Sequence, residues 1–103
     1  MNKVTENFQQ RCYELLMQIP KGKVTTYQEM AKALKSRAWR AVGTAMAKNP
    51  NLISVPCHRV VRSNGEIGEY ALGTEKKAEL LTAEGVHVRN RKVIDLDSVI
   101  HRF

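Results

Sequence analysis

The chain has 103 residues, 43% hydrophobic and 26% charged, enough to bury one small core and too few for two. No apolar run approaches the roughly 18 residues of a membrane span, and Met1-Asn2-Lys3-Val4 lacks a secretory apolar stretch, so an intracellular, cytoplasmic protein with no membrane partner is expected. Nine basic residues and one acid, Glu29, fall between Pro20 and Arg62, a local net of +8 within a total of +7, and so one-sided a charge favours a polyanion, most directly nucleic acid.

In chain order, Phe8, Cys12, Leu15, Leu16 and Ile19 share one helical face, predicting an amphipathic helix over 7–19 that Pro20 and Gly22 stop. Within that stripe Cys12 reads as a small buried hydrophobe. Thr26-x-x-Glu29 is a capping box opening a second helix, lined by Tyr27, Met30, Ala31 and Leu34. The pattern breaks at Lys35-Ser36. A third helix is predicted over 37–48, with Ala38, Ala41, Val42, Ala45 and Met46 inward. Its other face is small and basic: Arg40, Gly43, Thr44, Ala47 and Lys48. Small side chains let a backbone approach another surface while basic ones reach phosphates. Two short helices joined this tightly suit a helix-turn-helix, although many small helical domains share the spacing.

Asn49-Pro50 ends the third helix, and the apolar Leu52-Ile53-Ser54-Val55 leads into Pro56-Cys57-His58-Arg59-Val60-Val61. Asn64-Gly65 is a hairpin-turn dipeptide, which predicts a short wing from 60–62 and 67–70. Gly73-Thr74 opens a fourth helix to about Glu84, capped by Gly85. The tail from Val86 holds a short strand or terminal turn. The fold class expected is mainly α: a small winged helix-turn-helix-like domain with a short β-hairpin, one domain over 1–103.

Cys57, followed by histidine and arginine in a basic segment, suits a reactive thiol, because positive charge favours the thiolate and only the thiolate attacks carbon well. Buried packing is the competing reading. Adjacency alone does not place His58 on the sulfur, since neighbouring side chains usually diverge. His87 and His101 read as surface or satisfied residues, and Trp39 as core in preference to a stacking platform. No cysteine or histidine spacing suits zinc, so neither a metal nor a disulfide is expected.

PCHRV at 56–60 brings a family into view. Together with IPKGKVTTYQEMA at 19–31, RAVGTAM at 40–46, NP at 49–50, GEIGEY at 65–70 and KKAELLTAEG at 76–85, it closely resembles the catalytic, DNA-binding C-terminal domain of O6-alkylguanine-DNA alkyltransferases, over roughly 8–88. The resemblance implies a stoichiometric repair protein, without cofactor, that flips an O6-alkylguanine out of double-stranded DNA and moves the alkyl group to Cys57. His58 and Glu84 would be the activating relay, through a bound water, and Asn49 would brace the turn below. Tyr27 would polarise the leaving guanine and crowd the phosphate, and Arg40 would fill the gap in the base stack. Thr26, Ala41, Gly43 and Arg59 are further expected DNA contacts in the minor groove, and Val60, Tyr70, Ala71 and Leu72 would form the alkyl pocket. A monomer is expected, associated with the nucleoid through DNA.

Two departures stand out. The loop Lys35–Trp39 lacks the family's usual Gly and Pro and is shorter by about one residue. Leu72 replaces a small residue and is expected to narrow the pocket, favouring methyl over benzyl. The separate N-terminal domain of many members, with any metal site it carries, has no counterpart in these residues. Two rivals remain: an alkyltransferase-like protein that flags lesions without reacting, in which the acceptor cysteine is commonly a tryptophan, and a helix-turn-helix regulator using Cys57 as a redox sensor.

Overall fold

The computed structural model describes residues 3–37, 39–52 and 54–103, with side chains for all of these except 3–7 and 39. The expectations for Ala38, Ile53 and the Trp39 side chain lie outside the described residues. Five helices dominate: α1 (Lys3–Leu16), α2 (Tyr27–Ala33), α3 (Trp39–Ala47), α4 (Thr74–Ala83) and α5 (Leu96–Val99). The strands are two residues each: β1 (Thr25–Thr26), β2 (Val60–Val61), β3 (Val88–Arg89) and β4 (Lys92–Val93).

The stripe of α1 is buried as its spacing requires, with Cys12 and Leu16 fully covered by α2 and α3. Thr26 caps α2, its hydroxyl accepting from Glu29 N at 3.1 Å. The Glu29 carboxylate does not complete the reciprocal half of the box and lies instead 3.9 Å from both Lys32 and Arg102. Helix α2 closes in a Schellman motif, with Ser36 N donating to Ala31 O (2.9 Å) and Lys35 N to Lys32 O (3.0 Å). That motif holds Lys35 at φ 56°, a left-handed conformation costing a non-glycine residue roughly 1 kcal/mol. Lys35→Gly should therefore raise stability by about 1 kcal/mol in urea unfolding, and a neutral or destabilising result would show that the Lys35 side chain contributes more than its backbone costs.

The predicted wing is corrected by the structure. A turn does sit at Asn64-Gly65, with Arg62 N bonded to Glu66 O at 2.8 Å and Gly65 at φ 94°, but its arms do not run on as a hairpin over 60–62 and 67–70. Instead β2 pairs in parallel with β1, Thr25 opposite Val60, and Glu66 bridges antiparallel to Lys92. The short β-hairpin is β3–β4, turning at Asn90 and Arg91 with φ 53° and 60°, the left-handed pair of a type I′ turn. Its turn lacks the usual glycine, which is why the sequence did not mark it.

Two apolar clusters flank β2, and the period-two alternation of a strand decides which residue joins which. Val60 joins the core of α1, α2 and α3, and Val61 joins Val24, Ile67, Leu81, Val86 and Val93. The tail closes the second cluster: Val24 N donates to Val99 O (2.9 Å) and the Thr25 hydroxyl to His101 O (2.8 Å). Cys57 sits where the first cluster meets α3. Among the described residues no helix is long and apolar enough to cross a membrane.

Candidate active site

Cys57, His58 and Arg59 form one 3-10 turn. With three residues per turn, successive side chains point about 120° apart, so adjacency separates them in space. Cys57 lines a cleft of about 930 Å³, while His58 and Arg59 turn inward to Glu84, the C-cap of α4. His58 Nε2 lies 3.0 Å from Glu84 Oε2, and Arg59 donates to both oxygens, Nε at 2.9 Å and Nη2 at 2.7 Å. Arg59 Nη1 also donates to Ile19 O (2.8 Å).

These contacts set the charges. Burial lowers the His58 pKa below 6.5 against the opposing pull of Glu84, so the ring is neutral at pH 7. Burial pushes the Glu84 carboxyl up, but hydrogen bonds from Arg59 and His58 outweigh it and hold it below the usual carboxylate range. With Nε2–H donated to the carboxylate, the other ring nitrogen, Nδ1, carries the lone pair. It is buried and bonded to no group among the described residues, as a base awaiting a proton would be.

Asn49 is buried between α3 and this turn. Its Nδ2 donates to Val55 O (2.8 Å) and to Cys57 Sγ (3.5 Å), while Oδ1 accepts from Asn51 N (2.9 Å). It thus ties the backbone below Cys57 and directs a donor at the sulfur. Tyr27, first residue of α2, and Tyr70 both line the cleft. Burial, then a Cys57 thiolate, raises the pKa of each, so both phenols stay protonated donors. The Tyr70 hydroxyl is buried and bonded to no group among the described residues, and its ring stands edge-on to His58 at 6.3 Å.

Arg40, Gly43 and Ala71 line the same cleft. Other expected residues do not. Arg59, expected on DNA, is occupied by Glu84 and Ile19. Thr26 is buried, with its hydroxyl serving as the α2 cap. Ala41 is half-buried and off the cleft wall, and Val60 is wholly in the core. Leu72 is 50% exposed and outside the lining, because the turn after Tyr70 carries it outward, so the expected narrowing of the pocket, and the methyl-over-benzyl preference built on it, lose their basis. Cys12 is fully buried and burial pushes its thiol up to about 11, which leaves Cys57 the cysteine open to chemistry. Among the described residues no three His, Cys, Asp or Glu side chains converge to hold a metal.

Sequence reasoning missed the second wall, Arg62, Ser63, Asn64 and Glu69, and missed Lys77. Lys77 is 1% exposed, its Nζ donating to Glu69 O at 3.2 Å. It lies on α4 at i, i+4 and i+7 with Leu81 and Glu84, one face of a helix, and that spacing could have marked it as inward. Burial lowers its pKa from 10.5 to about 8, against the pull of a Cys57 thiolate. A drop of that size corresponds to about 3 kcal/mol. The unfolded chain holds this proton more tightly, so the cost is fully present below pH 8 and fades as pH rises to 10.5. Relative to Lys77→Met, the wild type should gain stability by up to about 3 kcal/mol across that window in urea unfolding. Parallel pH curves would show that Lys77 is not held charged in the core.

Fold and site together make this a small helix-turn-helix-type domain with a cysteine thiol lining its cleft. A family model described as the 6-O-methylguanine DNA methyltransferase DNA binding domain matches residues 7–86, and the chain belongs to that family. A methylated-DNA–protein-cysteine methyltransferase of Candida glabrata is 44% identical over 87 residues, 84% of this chain and 42% of the relative. The crystal structure of the O6-methylguanine-DNA methyltransferase of Pyrococcus kodakaraensis strain KOD1 matches at TM-score 0.71 and 50% identity, over 77% of this chain and 46% of that one. Atl1 of S. pombe, solved with damaged DNA containing O6-carboxymethylguanine, matches at TM-score 0.79 and 29% identity, over 94% and 96%. The chain spans about half the length of the curated methyltransferases it matches.

Proposed function

We propose that this chain is a direct-reversal repair domain that takes the alkyl group from O6-alkylguanine in duplex DNA onto Cys57. The observation that carries this reading is that Cys57 opens into a cleft beside α3 while the His58–Glu84 pair stands behind it in the same turn. The neutral His58 accepts the thiol proton at Nδ1 through a bridging water, and Glu84 stabilises the imidazolium. The thiolate then attacks the alkyl carbon: the C–S bond forms, the C–O6 bond breaks, and the electron pair stays on guanine. Tyr27 protonates the base and is reprotonated by solvent, and the His58 imidazolium returns its proton to solvent. The net change exchanges the thiol proton for the alkyl group, so the balance closes without a cofactor and the thioether ends the protein's activity.

A stacked base cannot reach this sulfur, so the nucleotide has to rotate out. Arg40 fills the gap and α3 lies in the minor groove, a placement supported by its small face. A Cβ built on Gly43 meets nothing within 4 Å, which leaves room for a DNA backbone. Gly43→Ala should stabilise the free protein by about 1 kcal/mol, as alanine does in a helix interior, and still weaken DNA binding several-fold. A thermal melt paired with fluorescence anisotropy checks both halves, and unchanged binding would move the groove contact off this face. A monomer acting where DNA is kept completes the reading.

The test is intact-protein mass after incubation with a duplex carrying one O6-methylguanine. One methyl group, saturating at one equivalent and mapped to Cys57, is the expected result. The near full-length match to Atl1, solved on damaged DNA, supports lesion binding as a second reading. Tight, salt-sensitive binding with no gain in mass would establish that reading instead.

A further inference from the structure

The hairpin β3–β4 lies beyond the residues the family model covers and beyond the basic segment at 20–62. It is nonetheless strongly basic: Val88–Val93 carries Arg89, Arg91 and Lys92 with no acid, and Arg89 to Lys92 are all exposed. Its register sets Arg89 directly opposite Lys92. Like charges facing one another across two strands repel, and the neighbouring acid, Glu66, bridges to Lys92 on its other side and pairs with Arg62 at 3.4 Å.

The hairpin is fastened to the rim of the cleft. Ile67 N donates to Arg91 O (2.9 Å), Val93 N to Gly65 O (2.8 Å), and Glu66 bridges to Lys92. A Cβ on Gly65 would meet the Lys92 side chain and Val93 O at 3.4 Å, so the two turns sit in close contact. The turn so anchored contributes Ser63 and Asn64 to the cleft wall. The basic hairpin is thus continuous with the cleft wall, where the backbone of a duplex held on α3 with one nucleotide in the cleft would meet its exposed cations.

We propose that β3–β4 is a second phosphate-binding surface that grips the backbone of the same duplex beyond the cleft. The proposal rests on the reading of DNA as the partner. It adds an attachment point that the helix-turn-helix does not supply, and the charge acts through the backbone, with no base preference.

The experiment measures affinity of the full chain for an undamaged duplex of about two helical turns by anisotropy across a salt series. Each phosphate that the protein no longer neutralises lowers the slope of log K against log salt by about 0.9. The triple variant Arg89→Gln, Arg91→Gln, Lys92→Gln should lower the slope by about 2 to 3 and the affinity by one to two orders of magnitude. Its melting temperature should stay within a few degrees of the wild type's, since all three side chains are exposed. Steep wild-type binding with an unchanged slope in the triple variant overturns the hairpin proposal and leaves the DNA reading standing. Wild-type binding without salt dependence overturns both. If the triple variant melts early, the single variant Arg91→Gln, whose own hydrogen bond to Ile67 is through its backbone, gives the same decision from a slope change of about 0.9 or none.

Discussion

Cys57→Ala should gain no mass from an O6-methylguanine duplex at any time or excess, while still binding it within a few-fold of wild type. On the proposed reading the alanine removes the acceptor thiol itself, so the loss is complete rather than a slowing. Binding survives because Arg40, Gly43 and Tyr27 line the cleft independently of the sulfur. Truncation at this buried site removes one sulfur from the packing and one weak bond from Asn49, a cost of roughly 1 kcal/mol in stability. The only other cysteine is a poor substitute: Cys12 is fully buried in α1 and its thiol is pushed up to about 11. A methyl group appearing on the Cys57→Ala protein would remove Cys57 as acceptor.

Glu84→Gln should slow transfer by two to four orders of magnitude and destabilise the fold. The carboxylate has two tasks. It fixes the His58 tautomer, so that Nε2 holds the proton and Nδ1 the lone pair, and loss of the orienting acid in a comparable triad costs about 10⁴. It also neutralises the Arg59 guanidinium, whose side chain is 15% exposed against 11% for Glu84. Removing one partner of a largely buried pair typically costs about 3 kcal/mol or more, because the remaining charge stays buried. The pH dependence carries two signs. With its folded pKa held below the ordinary 4.5, Glu84 contributes stability that is present above 4.5 and lost as pH falls through the lower folded value. His58 is held below 6.5, so the transfer rate should be level above 6.5 and fall as acid protonates the ring. Single-turnover rates from pH 4 to 8 and urea midpoints carried down to about pH 2 check both. A Glu84→Gln protein that reacts at the wild-type rate would leave His58 without a role as base.

How much of the molecule is legible in its sequence varies by element. The stripe of α1, the cap at Thr26 and the inward face of α3 follow from apolar spacing and one hydroxyl, which are local properties. Gly85 after α4 is local too, and its φ of 96° is what a C-terminal glycine predicts. The reactive segment is visible as a string, PCHRV, but its chemistry is not. The 3-10 turn that sends Cys57 to the cleft and His58 to Glu84 joins residues 26 apart, and no periodicity reports a contact at that distance.

The same limit explains the errors. Arg59 and Lys77 are cations, and composition alone puts cations on the surface. Their inward placement depends on Glu84 and on the Glu69 carbonyl, both supplied from elsewhere in the chain. The family resemblance implies a place for Leu72 in the pocket, yet one turn of backbone carries it to solvent. Asn64-Gly65 did mark a turn, but whether its arms pair with each other or with β4 depends on which edge the tail occupies. Sequence by itself determined the first four helices, the Thr26 hydroxyl cap and the glycine after α4, because these rest on neighbours within four residues. Tertiary structure decided which side chains face Cys57, which cations are buried and where the basic hairpin lies, because those outcomes turn on contacts between segments distant in sequence.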